Sequence, residues 1–140
     1  RSLRMMVDLE ALQGYTLRVD CDVLNADGGT RTASITAGAL AVKTAIARMV
    51  AENRLPALPH LQPTAAVSAG LVNGQVLLDL DYQEDSRPDA DGKFVMAAGR
   101  WVEIQLTAES APISDEQFET IRHYAAKGIA ELNALWDTVS

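Results

Sequence analysis

The chain lacks most of what would send it out of the cytoplasm. Cys21 is its only cysteine, which excludes an intrachain disulfide. No apolar run approaches the roughly 20 residues of a membrane span, and Arg1-Ser2-Leu3-Arg4 carries no signal-peptide pattern. These absences fit a cytoplasmic protein with no membrane partner. Basic charge is also short: 12 Lys and Arg against 19 Asp and Glu leave a formal net charge of −7. By composition this argues against nucleic acid, which favours basic surfaces, unless the basic surface lies outside this chain. There is no internal repeat and no low-complexity segment. Neither the Gly-Lys-Ser/Thr of a Walker loop nor Gly-x-Gly-x-x-Gly is present. What is present suffices for one globular domain, with 48% hydrophobic residues in a chain of 140.

The most informative stretch runs from Asp20-Cys21-Asp22-Val23-Leu24 through Ala26-Asp27-Gly28-Gly29-Thr30-Arg31-Thr32-Ala33-Ser34-Ile35-Thr36. Tyr15 to Val23 alternates apolar and polar residues and reads as a strand. Gly28 and Gly29 form a turn that lets the backbone come close to a ligand. A helix then begins, and the unpaired N–H groups and positive dipole end of a helix start attract anions. Thr30 adds a hydroxyl donor, and Arg31 adds a planar charged fork suited to phosphate oxygens. The residues alone leave two readings: an oxyanion site, most simply for phosphate, or an ordinary Gly turn with Thr30 capping the helix. Asp20 and Asp22 share a strand face and are expected to cap or ion-pair with this loop.

Elsewhere the patterns are plainer. Arg1 to Glu10 reads as the end of a helix. Ile35, Ala39, Val42, Ile46 and Met49 recur at helical spacing, and Pro56, Pro59 and Pro63 keep the following connection non-helical. His60 in that connection and His123 further on are read as non-catalytic. Asn73-Gly74 between two apolar runs predicts a hairpin of Ala65–Val72 with Gln75–Asp81. A second hairpin joins Lys93–Ala97 to Arg100–Leu106 near Gly99. Ser114-Asp115-Glu116-Gln117 is a capping-box pattern, followed by a helix with Phe118, Ile121, Ala125, Ile129, Leu132 and Leu135 on one face. The order predicts an α+β fold with helices packed on a mixed sheet.

Between the hairpins, Asp79, Asp81, Glu84, Asp85, Asp89 and Asp91 crowd together. Asp79 and Asp81 are expected on one side of a strand, with Asp85 and Asp91 on the loop after it. Converging carboxylates favour a hard cation with oxygen ligands; the competing reading is a solvated acidic loop. The spacing is not that of an EF-hand.

Both motifs resemble those of the ribonuclease PH family. The stretch from Asp20 to Thr36 is similar to that family's signature. Leu77-Leu78-Asp79-Leu80-Asp81-Tyr82, Glu84-Asp85-Ser86 and Asp89-Ala90-Asp91 are similar to its second motif. The resemblance implies a ribonuclease PH-like (ribosomal protein S5 domain 2-like) fold. It implies that Gly29, Thr30 and Arg31 bind phosphate, that Asp85 and Asp79 are catalytic carboxylates, and that Asp85 and Asp91 hold Mg2+ or Mn2+. Arg1-Ser2-Leu3-Arg4 and Val7-Asp8-Leu9 look like the middle of such a chain. Residues 1–140 are therefore expected to be a C-terminal fragment of one domain, with the N-terminal sheet and a further phosphate-binding arginine upstream. Two departures stand out: Gly92-Lys93 where the family usually has Met-Asn, and Leu106 where it usually has glycine.

The implied activity is phosphorolytic 3′-to-5′ exoribonuclease action on tRNA precursors. Inorganic phosphate is the co-substrate and nucleoside diphosphates are released. RNA is the implied partner, and a hexamer built as a trimer of dimers the implied assembly. The rival from the same resemblance is a non-catalytic scaffold subunit like those of the exosome ring. The acidic charge keeps a third reading open, an anion-binding domain unrelated to RNA.

Overall fold

The computed structural model describes residues 1–139, with the side chains of Tyr82 and Asp85 outside that description. Helix α1 (Thr30–Ala51) is followed by strands β1 (Thr64–Val72) and β2 (Gln75–Leu78) and a short helix α2 (Tyr82–Ser86). Strands β3 (Ala90–Ala97) and β4 (Arg100–Ala108) and helix α3 (Asp115–Asn133) complete the order. The sheet order is β2-β1-β3-β4. Every ladder among the described residues is antiparallel, where the sequence suggested a mixed sheet. The reason lies in the connections. Two of the three neighbouring strand pairs are joined or set by tight hairpins, and parallel neighbours would need a crossover of a dozen or more residues. The α+β class itself stands.

Both hairpins turn where the sequence places them. Asn73 and Gly74 have φ of 50° and 74°, and Ala98 and Gly99 have 47° and 73°, the left-handed pair that a two-residue hairpin needs. The capping box at α3 also forms. Ser114 accepts from the Gln117 N–H, and Gln117 accepts from the Ser114 N–H.

Helices α1 and α3 cover opposite faces of the sheet. Ala65, Val67, Ala69 and Leu71 of β1 join Phe94, Met96, Ile121, Ala125 and Ile129 in the core beneath α3. The intervening Ala66, Ser68 and Gly70 are small, which lets α1 approach the other face. Strand β2 is too short to pair the start of β1, so other groups take the free backbone positions there. Thr36 Oγ1 donates to the Ala66 carbonyl at 3.3 Å and accepts from the Ala66 N–H at 3.0 Å. A second core surrounds α1: Ala39, Val42, Ile46 and Met49 meet Met6, Val7, Leu12, Leu55 and Trp136.

Two expectations near the N-terminus need correction. Ser2–Met5 and Leu9–Leu12 are short 3-10 turns rather than a helix end. Tyr15–Val23 belongs to no ladder among the described residues. Leu17 and Val19 turn inward onto the α1 core, and Cys21 Sγ lies 3.8 Å from the Ser34 carbonyl oxygen. The alternation does turn Leu17 and Val19 inward, but a strand needs a neighbour to bond with, and this segment runs along a helix. Asp20 and Asp22 are exposed and make no ion pair or hydrogen bond among the described residues.

Helix α1 departs from the expectation that no apolar run nears the length of a membrane span. At 22 residues and a mean hydropathy of 1.3 it is long and apolar enough to cross a membrane. In this fold it is a layer packed on β1 and on the N-terminal turns.

Candidate functional site

The glycine turn and the acidic segment meet. Gly29 is the N-cap of α1, with φ 72° and ψ 22°, a left-handed conformation that glycine adopts without strain. The N-cap is a glycine and so has no side chain of its own to cap this helix start. Thr30 is the first helical residue and not the cap. Thr32 Oγ1 donates to the Gly29 carbonyl at 2.8 Å and Ser34 Oγ to the Thr30 carbonyl at 2.8 Å, which braces the turn from within. Gly28 lies against the main chain of Leu80 and Asp81. A Cβ built on Gly29 would stand 3.6 Å from Asp79 Oδ1.

The acidic cluster divides by occupation. Asp81 caps α2, accepting from the Glu84 N–H at 2.9 Å, while Glu84 accepts from the Asp81 N–H at 2.9 Å. Asp89 accepts from the Gly74 N–H and from Ser110 Oγ, at 3.0 and 3.1 Å, and ties the β1–β2 turn to the segment after β4. These three carboxylates are held by structural bonds. Asp79 is exposed, with a φ of 59° unusual for a residue with a side chain. Its N–H donates to the Ser68 carbonyl at 2.8 Å. Strand β2 ends at Leu78, so Asp79 and Asp81 do not share a strand face as expected. Asp85 lies in α2 and Asp91 in β3, rather than both on a loop. The Asp85 carboxylate falls outside the described residues.

Asp91 is half-buried and paired. Lys93 Nζ donates to its Oδ2 at 3.0 Å, while its Oδ1 is buried without a hydrogen-bond partner among the described residues. A buried carboxylate oxygen left bare favours an incoming cation. Asp91 also lines a cavity of about 320 Å³ with Ser86, Arg87, Pro88 and Glu109. No group of three His, Cys, Asp or Glu that could hold a metal occurs among the described residues; Asp91 and its bare oxygen are the described part of the expected ligand pair.

Arg31 is aimed somewhere the sequence did not suggest. Its Nη2 lies 3.0 Å from Glu103 Oε1 and its Nη1 3.2 Å from Gln105 Oε1. Both partners project from β4. Lys93 and Gln105 are cross-strand partners, so the arginine of one motif and the Asp91–Lys93 pair of the other lie along one polar face of β3 and β4.

Comparison with known proteins agrees on the lineage. The model of the 3′ exoribonuclease family, domain 1, matches residues 1–47, and that of domain 2 matches residues 62–128. A ribonuclease PH of Neisseria gonorrhoeae is 51% identical over 133 residues, 94% of this chain and 55% of that protein. One from Corynebacterium diphtheriae is 48% identical over 134 residues, 96% of this chain and 56% of that protein. The chain belongs to the ribonuclease PH family of 3′ exoribonucleases. It spans little more than half the length of these curated relatives. A solved structure of rice (Oryza sativa) Rrp46 superposes with a TM-score of 0.56 at 16% identity, over 83% of this chain and 50% of that one. At that identity the likeness speaks for the ribonuclease PH-like fold alone.

Of the two departures from the family pattern, Leu106 packs against the α3-side core, on the sheet face away from Arg31 and Asp91. Lys93 faces the site and pairs with Asp91.

Proposed function

We propose that the chain is the phosphate- and carboxylate-bearing part of a phosphorolytic 3′-to-5′ exoribonuclease. One observation carries this reading: the glycine-capped start of α1 is packed directly on the Leu80–Asp81 backbone. An anion held at the helix start is thereby next to the carboxylate segment. Inorganic phosphate is held by the backbone at Gly29, the Thr30 hydroxyl and the Arg31 guanidinium, since helix N-termini and charge-assisted bonds favour anions. It attacks the phosphorus of the terminal phosphodiester in line. The bond from phosphorus to the leaving 3′ oxygen breaks, a nucleoside diphosphate departs, and the shortened RNA keeps a 3′ hydroxyl.

Asp85 is assigned the proton for the leaving oxygen, with Asp79 as a second carboxylate beside Gly29 of the phosphate loop. Asp91 and, while deprotonated, Asp85 are the residues that would hold Mg2+ or Mn2+. Such an ion offsets charge on the transferring phosphoryl group. The family resemblance extends the proposal to tRNA precursors as substrate, to a hexameric ring and to the cytoplasm.

A second reading draws on Lys93 and Glu103. Each already pairs with a proposed site residue, as would suit a non-catalytic member that keeps the fold. The two readings separate on 3′-extended RNA, assayed with this chain and with a version extended upstream to the length of its relatives. Phosphate-dependent release of nucleoside diphosphates is expected from the extended version. Release of monophosphates without phosphate would overturn phosphorolysis, and no release from either would favour the scaffold.

A further inference from the structure

Glu103 and Gln105 have no part in the proposed chemistry, yet both grip the residue on which phosphate binding depends most. Arg31 occupies the first turn of α1 but its guanidinium reaches across to β4. There Glu103 Oε1 lies 3.0 Å from Nη2 and Gln105 Oε1 3.2 Å from Nη1. The two acceptors stand two residues apart on one strand face, so they meet the two terminal nitrogens of the fork side by side. The Glu103 side chain is only 17% exposed, while that of Arg31 is 54% exposed. The carboxylate is thus the fixed member and the arginine the one being held.

A guanidinium has five N–H donors. Two are spent on β4, which leaves Nε–H and one further N–H on each terminal nitrogen unspent. An unheld arginine of this exposure would lose rotamer entropy on binding phosphate. One already clamped has lost it beforehand, which is what preorganisation contributes to affinity.

We propose that Glu103, assisted by Gln105, is a positioning residue for inorganic phosphate: it presents Arg31 to the anion from the β4 side. The inference rests on the phosphate site proposed above and adds two residues to it. It also makes a prediction of opposite sign to simple electrostatics. Removing an anion near a phosphate site should tighten phosphate binding if Glu103 acts only through its charge. Removing a clamp should weaken it.

The experiment is calorimetric titration of the chain with inorganic phosphate, for wild type, Arg31→Ala, Glu103→Ala, Glu103→Gln and Gln105→Ala. Expected are loss of binding in Arg31→Ala and about tenfold weaker binding in Glu103→Ala, given the strength of charge-assisted bonds. Glu103→Gln keeps an acceptor oxygen and should stay within about threefold of wild type. The 15N relaxation of Arg31 Nε should show a mobile side chain in Glu103→Ala and a restrained one in Glu103→Gln. Phosphate binding in Glu103→Ala as tight as wild type or tighter, with Arg31→Ala still deficient, would overturn the positioning role and leave the phosphate site standing. Unchanged binding in Arg31→Ala would remove the site itself, and this role with it. Should Glu103→Ala fail to fold, Gln105→Ala carries the test: weaker binding supports the clamp, and equal binding overturns it.

Discussion

Gly28 and Leu80 approach so closely that a Cβ built on Gly28 would lie 2.0 Å from the Leu80 carbonyl oxygen. Two motifs some fifty residues apart in sequence are joined at this contact. Its tightness is set by main chain on both sides, so neither can yield by turning a rotamer. Any side chain at position 28 must push the start of α1 away from the carboxylate segment.

Gly28→Ala should therefore cost stability and site geometry together. Overpacking of this kind typically costs about 1–3 kcal/mol. Urea unfolding measures the first effect and phosphate titration the second. A variant with wild-type midpoint and wild-type phosphate affinity would mean that the two loops do not touch in solution.

Phosphate affinity should depend on Arg31 more than on Thr30. The guanidinium contributes a full charge and further N–H donors, and bonds to ionised groups are roughly twice as strong as neutral ones. Calorimetry on Arg31→Ala and Thr30→Ala is expected to rank them in that order. Equal phosphate affinity in wild type and Arg31→Ala would rule the site out.

Asp91 and Lys93 predict how a divalent ion competes for the proposed metal site. The Lys93 ammonium already satisfies one oxygen of Asp91, so Mn2+ must displace or share it. Lys93→Met should bind Mn2+ more tightly than wild type by titration, while Asp91→Asn and Asp85→Asn should bind it more weakly. In a version extended to the length of the relatives, Asp85→Asn should also lose phosphorolysis with its melting curve unchanged. Identical Mn2+ affinity across all three variants would dismiss the carboxylates as ligands.

Trp136 predicts the cost of loosening the other end of α1. It is 7% exposed in the α1 core, and Lys43 Nζ sits 5.3 Å from its ring centre. That ammonium also donates to the Trp136 carbonyl, and to the Val139 carbonyl at 2.6 Å. Truncating a buried Trp to Ala costs about 3–5 kcal/mol. Trp136→Ala should lower the denaturation midpoint by a corresponding amount, whereas an effect below 1 kcal/mol would show that the last turn is not part of the core.

Where chemistry is local, the sequence alone was enough. Asn73-Gly74 set one hairpin and Gly99 the other, because few residues accept the left-handed turn conformations. The Ser114–Gln117 cap and the apolar spacing of α1 and α3 depend on neighbours within one helical turn. The two site motifs were picked out by their resemblance to the ribonuclease PH family; spacing alone left an anion site against a plain turn and a cation site against a solvated loop. Their proximity was not, since it depends on the path of β1 and β2 between them.

The sequence misled where a partner had to be supplied from elsewhere. Tyr15–Val23 has strand alternation, but alternation specifies only which side chains turn inward. The α1 core receives Leu17 and Val19 without any ladder. The roles of Asp81, Glu84 and Asp89 were equally hidden, because each carboxylate's occupation depends on which N–H or hydroxyl lies in reach.

Glu103 shows the limit most sharply. Read from the turn at Ala98-Gly99, a regular hairpin would pair Lys93 with Ile104 and Val95 with Val102. The register instead shifts between Val95 and Met96, pairing Lys93 with Gln105 and Val95 with Glu103. One extra residue in β4 exchanges the faces of everything beyond it. That shift takes Glu103 and Gln105 from the α3 side to the Arg31 side. Residue types and local periods were determined by the sequence itself; which carboxylate holds the arginine was decided by a bulge, because strand faces alternate with every residue and a local pattern does not count across an irregular pair.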